Sequence, residues 1–101
     1  MADRGERMHE LVRELYPVCR SITGDGVRTT LARIAELVEL ELHEVPSGTP
    51  VLDWVVPPEW NIRRAWIRDA RGRTLVDFTA SNLHVVSYSI PVRRRIAADE
   101  L

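Results

Sequence analysis

The stretch LYPVCRSITGDGVRTTL, residues 15–31, lies between two helical patterns and holds a dense turn signal. Pro17 lacks a backbone N–H, so we expect the first helix to end or kink near Tyr16. SITGDG then forms a predicted turn, in which Thr23 or Asp25 caps the next helix. Apolar residues at helical spacing define both helices: Met8, Leu11, Val12, Leu15 and Cys19 for the first, and Val27, Leu31, Ile34 and Val38 for the second.

The apolar period changes after the second helix, from helical spacing to alternation. Leu40 and Leu42 alternate with Glu41 and His43, which predicts a strand running into Val45. Further predicted strands are VLDWVV at 51–56, a hairpin of 59–69 and 73–78 around a turn at Asp69–Gly72, and a last strand at Leu83–Tyr88. The fold class is therefore α+β, an N-terminal helix pair followed by a small, mostly antiparallel β module.

All three tryptophans, Trp54, Trp60 and Trp66, follow Pro46. Large aromatic side chains let a small β module build a core from few residues. This shift in composition, together with the change of period, predicts a boundary between residues 1–45 and residues 46–101.

Composition excludes several function classes. All 14 basic residues are arginine, which rules out lysine-based chemistry such as Schiff bases or a P-loop lysine. A net charge of −1 argues against nucleic acid and anionic membranes as partners. No apolar run approaches the ~20 residues of a membrane helix. The charged beginning MADRGERMHE and the single Cys19 predict a cytoplasmic protein.

The turn between the helices offers two candidates for chemistry. Cys19 is either a nucleophile or a small buried hydrophobe, and its place on the apolar face favours the second. TGDG at residues 23–26 is either an anion cradle at a helix N-terminus or a capping turn. The P-loop and dinucleotide patterns are missing, and Asp25 would repel an anion, so we predict the capping turn.

The remaining candidates also favour structural roles. His9, His43 and His84 form no H-x-x-x-H pair of the kind that helps to assemble a zinc site. Four acidic residues of the β part could supply a hydrolytic pair, but solvated charges are expected there: Asp53, Glu59, Asp69 and Asp77. Arg93–Arg95 is expected to be a solvated run. WNIRRAWIRD, residues 60–69, mixes aromatics with arginine, as interface hot spots do. We therefore predict no catalytic, cofactor-binding or metal-binding residue in this chain.

Two long runs, ELYPVCRSITGDGVR at 14–28 and VPSGTPVLDWVVPPEWNIR at 45–63, resemble the N-terminal part of a bacterial family. Its members are aminopeptidase-like proteins of zinc-exopeptidase fold that carry domains of unknown function. The resemblance implies that residues 1–45 begin an α/β catalytic-type domain and that residues 46–101 begin an inserted β-rich domain. It also implies zinc ligands and a peptide substrate in the full-length family, with the ligands beyond this chain.

By this resemblance the chain is an inactive N-terminal fragment of a zinc-dependent hydrolase, and its partners are the remainder of the parent protein or a second copy. Arg20 would then pair with a carboxylate elsewhere in the parent. We expect exposed apolar surface on the helix pair, because little in the chain covers it. The alternative is a stand-alone binding or scaffold module that uses the Trp- and Arg-rich surface of its β part.

Overall fold

The computed structural model describes residues 3–101 and confirms the α+β class. Two helices come first, followed by two separate two-stranded antiparallel sheets and two short 3-10 turns. In chain order the elements are α1 (Arg4–Leu15), α2 (Asp25–Ala35), β1 (Pro50–Val51), β2 (Trp54–Val55), β3 (Trp66–Arg68), β4 (Thr74–Asp77) and the 3-10 turns Asn82–His84 and Ala98–Glu100.

Helix α1 ends where proline predicts. Asp3 caps its first turn in a capping box with Glu6, and the helix stops at Leu15, two residues before Pro17. The prediction that Cys19 continues the apolar face of this helix was wrong. Pro17 stops the helix first, so Cys19 lies in the following loop.

Helix α2 begins at the predicted turn but with a different cap. Its N-cap is Gly24, at φ 98° and ψ −174°, and no side chain of its own turn caps it. The prediction of Thr23 or Asp25 as the cap was therefore wrong. The helix ends at Ala35, so Val38 lies in the turn beyond it, where its N–H donates to the Ile34 carbonyl at 3.0 Å.

Two predicted strands do not form within residues 3–101. Residues 39–46 carry no regular structure, although their alternation predicted a strand, because no neighbouring strand in the described chain pairs with them. Residues 83–88 begin inside a 3-10 turn and include Tyr88 at φ 65°, a left-handed conformation that a continuous strand does not tolerate. His43 and His84 consequently lie outside strands.

The two sheets are both tight hairpins. The prediction of one strand at 51–56 was wrong, because the chain reverses at Leu52, at φ 54°, and pairs Val51 with Trp54. The β3–β4 hairpin is confirmed, with Ile67 opposite Val76 and Gly72 at φ 82° in its turn. Residues 59–65 lie outside β3, so the first strand of this hairpin is shorter than predicted.

Residues 3–101 enclose no hydrophobic core, since none of their large apolar side chains is buried. The Cα radius of gyration is 18.1 Å, against roughly 13 Å for a compact domain of this length. Trp54 and Trp66 are 52% and 47% exposed, so the prediction that tryptophans build a β core was wrong. The expected exposed apolar surface is confirmed on α1, where Met8 and Val12 are each 63% exposed, whereas Val27, Leu31 and Ile34 of α2 are half-buried. None of the helices in residues 3–101 is long and apolar enough to cross a membrane.

Candidate functional site: the junction at the start of the second helix

Three distant segments of the chain meet at the start of α2. We call this region the junction and define it as residues 23–25, 59–61 and 88–89. The Thr23 hydroxyl oxygen accepts a hydrogen bond from the Trp60 backbone N–H at 3.0 Å. The same oxygen lies 2.6 Å from the Tyr88 hydroxyl, so one threonine contacts both later segments.

The missing local cap of α2 is supplied from another segment. The backbone N–H of Asp25 donates to Asn61 Oδ1 at 2.7 Å, from 36 positions further along the chain. Asn61 Nδ2 in turn donates to Glu59 Oε1 at 3.2 Å, which orients the amide. A free N–H of the first helical turn is thereby satisfied. Sequence reasoning searched for a cap only within the turn itself and therefore missed Asn61.

Gly24 lets the two segments approach this closely. It is buried, and its φ of 98° with ψ of −174° falls in a region essentially reserved for glycine. A Cβ atom here would collide with the Trp60 carbonyl oxygen and lie 2.7 Å from Asn61 Oδ1. Glycine is thus required at this position for both its backbone conformation and its lack of a side chain.

An ion pair on the surface reinforces the junction. Arg28 binds Glu59 with both ends of its guanidinium, at 2.6 and 2.7 Å, and also contacts Asp25 at 3.0 Å. The hydrogen bonds from Arg28 lower the pKa of Glu59 to about 2, with a further contribution from Asn61. The hydrogen bond from Glu59 likewise raises the pKa of Arg28. Glu59, predicted to be merely solvated, is therefore a partner of α2.

Aromatic packing completes the junction. The ring of Trp60 stacks on that of Tyr88, with centroids 6.0 Å apart and planes 27° from parallel. Its indole N–H donates to the Ser89 carbonyl at 3.0 Å. Trp60 therefore contacts the third segment through both its ring and its indole N–H.

A cavity of about 390 Å3 opens beside the junction. Among its lining residues are Cys19, Thr23, Asp25, Asn61 and Phe78. Cys19 is only partly buried, which corrects the prediction of a buried hydrophobe. The alternative of an anion cradle at residues 23–26 loses one donor, since the Asp25 N–H is already bound to Asn61.

Comparison with known proteins shows which family the chain belongs to. Residues 9–96 match the family described as "Domain of unknown function (DUF4910)". The chain belongs to this family. The resemblance drawn from the two long sequence runs is confirmed by this match.

The DUF4910 chain is also similar to one curated protein and to one solved structure, both longer and both from Clostridium acetobutylicum. One, named "Putative polysaccharide biosynthesis protein with aminopeptidase-like domain", is 50% identical over 100 residues, which are 99% of this chain and 23% of that protein. The other is a crystal structure described as a "putative peptidase", with 52% identity and a TM-score of 0.91 over 96% of this chain and 23% of that chain. The DUF4910 chain thus spans about a quarter of each relative's length.

The histidines of the DUF4910 chain lie apart from the junction. His9 is on α1, His84 is in a 3-10 turn, and the His43 Nε2 contacts Glu41 at 3.1 Å. Residues 3–101 bring together no group of three or more His, Cys, Asp or Glu side chains that could hold a metal ion. The described residues therefore do not by themselves form a site for the zinc that the resemblance implies.

Of the remaining charged candidates, Asp69 and Asp77 have local partners. Asp69 accepts from the Arg73 backbone and guanidinium, and these bonds lower its pKa. Thr79 lowers the pKa of Asp77 by donating from its backbone and hydroxyl. Asp53 lies in the exposed β1–β2 turn, and Arg93–Arg95 lies in an exposed irregular segment.

Two arginines tie the helices to each other. Arg20 Nη1 donates to the Leu15 carbonyl at 2.9 Å and to Thr30 Oγ1 at 3.2 Å, which joins the end of α1 to α2. Arg33 Nε donates to Glu14 Oε1 at 2.8 Å and Oε2 at 3.0 Å, and Glu14 raises the pKa of Arg33. The junction and these two arginines together hold segments of the chain in position through polar contacts.

Proposed function

We propose that this DUF4910 chain is the N-terminal part of an aminopeptidase-like, zinc-dependent hydrolase and is inactive by itself. The observation that carries the proposal is the 52% identity and TM-score of 0.91 to a longer solved chain described as a peptidase. In this proposal residues 1–45 begin the aminopeptidase-like domain and residues 46–101 begin an inserted β-rich domain. The zinc ligands and peptide-binding residues come from the rest of that longer protein. A cytoplasmic location, suited to the free Cys19, belongs to the same proposal.

The junction gives the chain a mechanical role in that protein. It fixes the start of α2 to residues 59–61 and 88–89 by hydrogen bonds, an ion pair and a ring stack. The junction therefore sets how the β-rich part is held against the helices. Catalytic groups elsewhere in a protein depend on such fixed contacts for their position.

A chimera tests the proposal. In it, the matched quarter of the C. acetobutylicum relative is replaced by this chain, which is 50% identical. We expect the chimera to release N-terminal amino acids from peptides in a chelator-sensitive way, and the isolated 101-residue chain to release none. Chelator-sensitive release by the isolated chain would show a complete metal site in it. If neither the chimera nor the unmodified relative releases amino acids, the hydrolase assignment is wrong.

A second candidate is a stand-alone binding or scaffold module. It is favoured by the half-exposed Trp66, whose ring lies 4.3 Å below the Arg68 guanidinium. Such aromatic and arginine side chains are typical of binding hot spots. Two results together would support this candidate over the first. The isolated chain would be monodisperse and fold cooperatively, and it would lose a binding partner on Trp66→Ala but not on Trp54→Ala.

A further inference from the structure

Tyr88 has a backbone conformation that residues with side chains rarely adopt. Its φ is 65°, in the left-handed region. It is the third residue of a four-residue turn, which the Ser89 N–H closes by donating to the Val86 carbonyl at 3.2 Å. Turns with a left-handed third residue usually have glycine or asparagine there, because a larger side chain strains the backbone. Tyrosine at this position therefore makes the turn unfavourable by itself.

The turn at Tyr88 has no neighbouring strands to hold it. Leu52, the other non-glycine residue of 3–101 with a positive φ, lies in the β1–β2 turn, where Val51 pairs with Trp54 on either side. In contrast, residues 85–97 contain no helix or strand. The left-handed conformation of Tyr88 therefore depends on contacts with other segments of the chain.

Three contacts with the junction supply this support. The Tyr88 hydroxyl lies 2.6 Å from that of Thr23, and the Tyr88 ring stacks on the ring of Trp60. The next carbonyl along the chain, that of Ser89, accepts the indole N–H of Trp60 at 3.0 Å. A strained residue persists only where its surroundings fix it in several ways at once. The strain at Tyr88 is therefore offset as long as these contacts are made.

The same contacts fasten the last part of the chain. We call residues 86–101 the arm, and all of them are exposed. In the described chain, the arm makes hydrogen bonds to residues 3–85 only through the Tyr88 hydroxyl and the Ser89 carbonyl. A segment that so few contacts hold can open at a much lower free energy than the whole molecule.

We propose that Tyr88 is a strained latch that holds the arm against the junction and lets it open as a unit. In the fastened state, the one in this structure, the hydroxyl and ring of Tyr88 are bound and its backbone is left-handed. In the released state these contacts are broken, the turn relaxes out of the left-handed conformation, and the arm detaches. Both helices and both hairpins stay formed in the two states. The proposal requires neither zinc nor peptidase activity.

Removing one hydroxyl tests the latch. Tyr88→Phe keeps the ring but loses the contact with Thr23, so we expect the backbone amides of residues 86–90 in the chimera to exchange with deuterium at least ~5-fold faster. The amides of β3 and β4 should exchange at the wild-type rate. Tyr16→Phe is the matched control, because Tyr16 is the chain's other tyrosine and is 61% exposed, and it should change neither region.

A second pair of substitutions isolates the strain. Tyr88→Gly and Tyr88→Ala both remove the ring and the hydroxyl, so neither variant can make the side-chain contacts. Glycine adopts the left-handed conformation without strain, whereas alanine does not. We therefore expect the Ser89 amide of the chimera to exchange at least ~5-fold faster in the alanine variant than in the glycine variant. A side chain that only packs, with no strain behind it, would give no such difference.

Three results would overturn the latch. Unchanged exchange of residues 86–90 in Tyr88→Phe would show that the hydroxyl does not fasten the arm. Equal acceleration of the arm and of the β3–β4 hairpin would show general destabilisation in place of a local opening. Equal exchange of the Ser89 amide in the glycine and alanine variants would show that the turn stores no strain.

Discussion

The hydroxyl oxygen of Thr23 lies 2.6 Å from the hydroxyl of Tyr88, although 65 positions separate them in the chain. The same threonine also accepts a hydrogen bond from the backbone N–H of Trp60. These contacts join segments that share no hydrophobic core. Long-range order within residues 3–101 thus depends on a few polar contacts and one ring stack.

Removing the Thr23 hydroxyl should destabilise the junction. Thr23→Val keeps the shape but leaves the Trp60 N–H without its acceptor, and we expect a loss of ~1–3 kcal/mol in the free energy of unfolding of the chimera. Thr23→Ser retains the hydroxyl and should change stability by less than about 0.5 kcal/mol. Denaturant unfolding measures both. Equal stability of the Val and Ser variants would mean that this hydrogen bond contributes nothing.

Gly24 should be far less tolerant of a side chain than Gly48. Both have positive φ, 98° and 86°, but only at Gly24 would a Cβ atom meet other atoms within 4 Å. Gly48→Ala should therefore lower the free energy of unfolding by about 1 kcal/mol, through backbone strain alone. Gly24→Ala adds a collision with backbone, and we expect a loss of at least ~3 kcal/mol in unfolding experiments on the chimera. Similar losses for the two variants would refute a close approach of Trp60 to Gly24.

The ion pair of Glu59 should contribute stability that depends on pH. Its folded-state pKa of about 2 is below the ordinary value of 4.5, so its contribution is present above pH 4.5 and is lost as pH falls toward 2. Glu59→Gln should lower the melting temperature of the chimera at pH 7, and the difference from wild type should shrink below pH 4.5. Asp53→Asn, in the exposed β1–β2 turn, is the charge-matched control. A difference that stays constant down to pH 2.5 would contradict the pairing.

The sequence predicted the two helices and the β3–β4 hairpin, and it missed the long-range contacts. Helical spacing and Pro17 located both helices, and the glycine turn at Asp69–Gly72 located the β3–β4 hairpin, because each signal acts within a few residues. The cap of α2 by Asn61 was missed, since its donor and acceptor are 36 positions apart. No local signal marks such a contact.

The strand predicted at 40–45 failed for a related reason. Alternation reports which faces a segment would present, whereas a strand also needs a neighbour to accept its hydrogen bonds. Residues 3–101 provide none there. The same reasoning applies to the predicted tryptophan core, because aromatic content indicates available apolar area and not the surface that covers it.

The apolar face of α1 should have opposite effects in two contexts. Met8 and Val12 are both 63% exposed in residues 3–101. Val12→Ser should reduce self-association of the isolated chain, and should destabilise the chimera by ~1–2 kcal/mol, because there the face is covered. Glu10→Ser, an exposed polar-face control on the same helix, should do neither. Analytical ultracentrifugation and thermal unfolding give the two readouts, and a chimera unaffected by Val12→Ser would show that α1 stays uncovered.

Calorimetry of the isolated 101-residue chain beside the chimera tests most directly whether this chain is a dependent part of a longer aminopeptidase-like protein. A chain with no buried apolar side chain in residues 3–101 should show no cooperative heat absorption alone. Joined to the rest of the relative, the same residues should melt in a sharp transition. A single cooperative transition from a monodisperse monomer of the isolated chain would contradict the account.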